Sequence, residues 1–211
     1  MSGLKWYVIG MLLLPVDGSG FTATVTRAET GLKISLYNLA GVPGKDLWQA
    51  EQLTTRIFAG SGIKMNWMAE PLSRPGFLIS DFTAPRTGTC DQLLTTRELI
   101  VQILHKAPNG FSPAALGFAL PCAKRGVQAT IYLDRIERVS CQTSVSLYRV
   151  LGHALAHEIG HVLLRSSSHA PQGLMRGLWD SRDWQRAAVS TLSFTIEESD
   201  RMQRENEATR R

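Results

Sequence analysis

Two histidines and a glutamate between residues 157 and 161 are the part of this 211-residue chain best equipped for chemistry. On an α-helix, His157 and His161 share a face about 6 Å apart along the axis, so their two imidazoles can grip one metal ion. Glu158 sits about 100° round the helix from His157. It cannot easily join the same ion, but it can reach a water on the ion's open side as a general base. Zinc suits such a site, because three protein ligands leave a fourth position for water, whose pKa the ion lowers toward about 7. The third ligand must come from beyond the helix. His169 is the only histidine downstream, and Arg165 to Ser168, weak in helix propensity, let the chain turn back toward the metal. Ser167 and the carboxylate of Asp180 are weaker candidates for that place. His153 falls on the same face one turn before His157, but about 12 Å of rise separates it from His161, so it reads as a packed or supporting histidine. His105, on a strand-like segment far upstream, reads the same way.

The helix carrying these groups is legible without them. Val150, Leu151, Leu155, Ile159, Val162 and Leu163 recur at spacings that make an apolar stripe, and Ser144 or Ser146 is placed to cap its start. Upstream, Leu32 to Leu39 reads as a strand. Leu47, Ala50, Leu53, Ile57 and Phe58 mark a helix that Gly60-Ser-Gly62 ends, and Ile63 to Met68 is a second strand. Strand, helix, strand is a parallel crossover. Phe77 to Phe82, Leu99 to Leu104, Leu116 to Leu120 and Val127 to Leu133 are further strands, and Asp134 to Val139 is a short helix or turn. Beyond the site, Trp179 and Trp184 are packing anchors, either of which could line a cleft. Thr195 to Glu198 is a capping box opening a last helix. The fold class is therefore α/β: a mixed twisted sheet flanked by helices, with a small helical part from about residue 170.

His157-Glu158-Ile159-Gly160-His161, then His169 and Gly173-Leu174-Met175, resemble the zinc site of the metzincin metalloproteases and are most similar to the matrixin branch. Leu116 to Pro121 and Ile131 to Asp134 resemble two matrixin strands, the first being the sheet edge beside the cleft. The resemblance implies one catalytic zinc held by His157, His161 and His169, with Glu158 as base and Met175 as the methionine of a Met-turn beneath the site. It also implies a peptide or protein substrate that can pair with the edge strand through its backbone. Several positions depart from the family pattern. Leu164 replaces the glycine that ends the helix, Ser167 stands where the third histidine belongs, and His169 comes two residues late. Phe118 and Tyr132 occupy the places of structural-zinc histidines, so no second zinc is expected. Gly177 stands where some metzincins have a tyrosine.

An apolar fraction of 44% with 19% charged residues is ordinary for one well-cored domain. The net charge of +5 is scattered rather than gathered with aromatics, which argues against nucleic acid as a partner and leaves adhesion to anionic envelopes open. Lys5, the uncharged run Trp6 to Val16 and small residues after it have the layout of a secretory signal within residues 1–28. That run is too short for a stable membrane span. Residues 29–211 then form a single catalytic domain, secreted or periplasmic, and expected to be a monomer. Cys90, Cys122 and Cys141 allow one disulfide and one leftover thiol, in any of three pairings. The expected function is a secreted zinc endopeptidase. The alternatives are a zinc hydrolase of a non-protein amide or ester, and a zinc-stabilised binding protein without activity.

Overall fold

The computed structural model describes residues 31–69, 98–123 and 128–208. The expected leader, the strand at 77–82 and Cys90 lie outside them. In chain order the elements are β1 (Leu32–Asn38), α1 (Gly44–Gly60), β2 (Met65–Ala69), β3 (Glu98–Leu104), β4 (Gly117–Ala119) and β5 (Ala129–Tyr132). Among the described residues four helices follow β5: α2 (Leu133–Thr143), α3 (Leu147–Leu163), α4 (Ser181–Ala188) and α5 (Ile196–Ala208).

The strands form one sheet in the order β2-β1-β3-β5-β4, parallel except for β4, which runs antiparallel to β5 with Gly117 opposite Ile131. The expected crossover is present, with β1 and β2 joined through α1 and paired in parallel. Parallel strands are covered on their faces and read as apolar runs. Accordingly Leu99, Val101, Ile103 and Leu104 of β3 are all buried. Of the expected runs at 116–120 and 127–133, the regular strands are β4 and β5, and backbone bonds continue the pairing past them, from Tyr132 N–H to the Leu116 carbonyl at 2.9 Å and from Leu120 N–H to the Gln128 carbonyl at 2.8 Å. The chain passes from Tyr132 straight into α2, so the short helix or turn expected over Asp134 to Val139 is a helix that runs on to Thr143, with Ile136 packed into the core.

α3 runs through the middle of the molecule. Every residue from Val150 to Leu163 is buried, since α1 and α2, β4 and β5, and the carboxy-terminal helices all pack against it. Ser146 is its N-cap by position, yet its hydroxyl makes no capping bond and instead accepts from Arg149 Nη1 at 3.3 Å. The expected capping box is made: Thr195 N–H donates to Glu198 Oε2 at 2.8 Å and Glu198 N–H to Thr195 Oγ1 at 3.2 Å. Cys122 is disulfide-bonded and Cys141 is a free, exposed thiol. No helix of the described residues is long and apolar enough to cross a membrane.

α1 and α3 meet at Gly152. A Cβ there would lie 3.0 Å from the Ala50 carbonyl oxygen and 3.0 Å from Leu53 Cδ2, and Thr54 Oγ1 bonds across the same seam to the Gly152 carbonyl at 3.0 Å. Gly152→Val is expected to wedge the helices apart and cost about 1–3 kcal/mol, the usual range for overpacking a core. A urea midpoint lowered at unchanged slope would confirm it.

Candidate metal centre

The end of α3 determines where the chain goes next. Ser166 N–H bonds to the His161 carbonyl at 3.1 Å and Arg165 N–H to that of Val162 at 3.2 Å, the paired bonds of a Schellman turn. Its left-handed residue is Arg165 (φ 50°), a place where glycine is usual. The turn presents the Ser166 carbonyl to the His161 ring, whose Nδ1 donates to it at 2.7 Å.

His157 is held in the same way from the other side. Its Nδ1 donates to the Leu174 carbonyl at 2.7 Å, and Trp179 Nε1 donates to that same oxygen at 3.1 Å. The Trp179 ring packs edge-on against His157 and against His153. Met175 follows directly and is buried under the helix, where a Cβ on Gly160 would come within 2.8 Å of its Sδ. Glycine in the middle of the motif thus lets the methionine turn pass close below it.

With both Nδ1 atoms donating to carbonyls, the Nε2 atoms of His157 and His161 carry lone pairs, and they face each other 3.1 Å apart. His169 Nε2 lies 3.3 Å from His161 Nε2, and one nitrogen from each of the three rings falls within 4.8 Å of the others. Burial pushes the His157 imidazole down to about 3 and lowers that of His161, so both rings disfavour the second proton that would bridge the gap. Convergent lone pairs without a proton between them repel. A cation among them removes the repulsion, and three imidazoles with an open side fit zinc. Each of the two helix histidines has behind it the kind of carbonyl that fixes tautomer and ring orientation in metal sites.

Glu158 points to the sheet. A Cβ on Gly117 of β4 would lie 2.9 Å from Glu158 Oε1, so the edge strand runs directly over the carboxylate. Burial pushes this carboxyl up to about 8, and a cation held by the neighbouring rings opposes that shift by favouring the ionised form.

The other candidates resolve differently. Asp180 lies at the N-terminus of α4, accepting from Arg182 and Asp183 N–H, and pairs with Arg176. Ser167 is exposed, and so is His105 at the end of β3. His153 is fully buried, with Nδ1 on the Arg149 carbonyl at 2.7 Å and Nε2 lacking a partner among the described residues. Sequence reasoning missed the two orienting carbonyls, which leave no trace in residue type, and it missed α4, whose signal was present as Asp180 with Asp183 three residues on.

No protein-family model matches the chain, and no curated protein matches it. Solved structures similar to it include the archaemetzincin of Methanopyrus kandleri, at 16% identity over 86% of this chain and 98% of that one, with a TM-score of 0.49. A zinc-dependent peptidase from Methanocorpusculum labreanum has 14% identity over 80% of this chain and 92% of that one, with a TM-score of 0.41. Likenesses of this degree carry no residue role across.

The zinc-free protein should be most stable in a narrow pH window. His157, lowered in the fold from 6.5 to about 3, contributes stability above pH 6.5 that is lost as pH falls toward 3. Glu158, raised from 4.5 to about 8, contributes stability below pH 4.5 that is lost as pH rises toward 8. Burial lowers His153 and His161 as well, so the histidines outweigh Glu158 on the acid side. Urea midpoints measured in chelator should therefore peak toward the upper end of the interval from pH 4.5 to 6.5, near pH 6.5, and saturating zinc should flatten the alkaline limb.

Proposed function

We propose that the chain is a secreted zinc-dependent endopeptidase, with one catalytic zinc held by His157, His161 and His169 and with Glu158 as general base. The observation that carries this is the convergence of three imidazole nitrogens within 4.8 Å, two of them with their remaining proton committed to a backbone carbonyl. A zinc ion bound there supplies Lewis acidity, polarising a carbonyl oxygen and acidifying a water. Glu158 takes the attacking water's proton on a carboxylate oxygen and returns it to the leaving nitrogen. Its burial, at 7% exposure, keeps bulk water from competing for that proton.

A peptide is the substrate class that the sheet favours. Among the described residues β4 is the edge strand, it is antiparallel to β5, and its Gly117 lies over Glu158. An extended chain pairing with β4 through backbone hydrogen bonds passes alongside the base with little demand on its side chains. The matrixin-like reading rests on this edge, on Met175 beneath Gly160, and on a third histidine displaced by two positions. Export is supported by the disulfide at Cys122, a bond at home in oxidising compartments.

Glu158→Gln should retain zinc while lowering peptide hydrolysis by roughly 10²–10⁴-fold, the usual contribution of a general base. Zinc content and turnover of a quenched peptide library, measured on the same preparation, test both halves. Undiminished turnover removes Glu158 from the role. A zinc-loaded wild-type protein that cleaves no peptide but does cleave acyl amides or esters moves the substrate to the non-protein class.

A further inference from the structure

His169 differs from the other two histidines of the triad. They sit on a buried helix with Nδ1 fixed by a carbonyl, whereas His169 is exposed and lies on the loop beyond it. What brings that loop in is backbone pairing: Ala170 N–H bonds to the Met175 carbonyl at 2.9 Å, and Ala170 bridges to Arg176. This pairing holds the His169 backbone, but it leaves the ring free to turn about its own bonds.

The ring is confined from the next residue along. A Cβ built on Gly177 would lie 2.9 Å from His169 Cγ, 3.1 Å from Nδ1 and 3.3 Å from Cβ, and these are its three nearest neighbours. The contact is with the root of the imidazole rather than a tip that could swing aside. Gly177 is not one of the glycines with a left-handed φ, so its backbone would accept a side chain. It is also exposed, so no packing of the core calls for glycine. What remains as a demand for glycine is the space the His169 ring occupies.

We propose that Gly177 is a positioning residue for the third zinc ligand: its absent side chain is the seat in which the His169 imidazole turns its Nε2 toward His161. This rests on the zinc site proposed above and adds to it a residue that touches neither metal nor substrate. Any side chain at 177 pushes the ring off the line on which Nε2 stands 3.3 Å from that of His161.

The test compares wild type, Gly177→Ala, His169→Ala and the double variant, with zinc affinity measured by competition against a chromophoric chelator. Gly177→Ala should weaken zinc binding roughly 10- to 100-fold, the range for groups that orient metal ligands. In the His169→Ala background it should weaken binding no further, because the ring it displaces is gone. With cobalt in place of zinc, the visible spectrum of Gly177→Ala should shift toward that of His169→Ala, a change of coordination that a merely structural effect would not produce. Urea midpoints of the zinc-free variants should match wild type, and any loss in Gly177→Ala should be cured in the double variant, since both read the same collision. Wild-type zinc affinity in Gly177→Ala overturns the proposal, as does an equal weakening in the His169→Ala background. Undiminished affinity in His169→Ala is a different failure: it overturns the third-ligand assignment itself and takes the role of Gly177 with it.

Discussion

Two hydrogen bonds from imidazole to main chain, His157 to the Leu174 carbonyl and His161 to that of Ser166, govern the rest of the centre. Each fixes a tautomer, and the tautomer decides whether a ring nitrogen is a donor or a ligand. Both acceptors belong to turns that follow α3, one at its Schellman end and one at the methionine turn. The helix supplies the spacing of the rings, and the return of the chain supplies their chemistry.

The burial of α3 has two consequences. Its apolar flanks anchor the helix between α1 and the sheet, so the two ring positions cannot drift relative to the edge strand. The same dry surroundings disfavour charge on His157 and Glu158, which the fold accepts at a cost in stability. A cation beside them would reverse the preference at Glu158, favouring its carboxylate, and would hold His157 in the neutral form that ligation requires.

Much of this was legible in the sequence, for definite reasons. The apolar spacing of Leu151, Leu155, Ile159 and Val162 specifies a helix whatever it carries, and a helix puts residues 157 and 161 on one face. Thr195 and Glu198 mark a helix start because their side chains satisfy each other's backbone. The length of α2 was not legible: Ser140, Cys141 and Thr143 are weak helix formers, and the helix they extend packs on α3. Ser146 has the right type for a cap but bonds elsewhere. Gly177 looked like a missing side chain until the fold set an imidazole in its place. Such information resides in proximity rather than in composition.

The left-handed arginine that closes α3 bears on where along the chain the third imidazole stands. With the reversal at Arg165, the chain leaves the helix along a path that brings the ring of His169, and not the exposed Ser167, up to those of His157 and His161. The position along the chain at which a third imidazole can join the other two is thus set by the geometry of the turn that ends the helix.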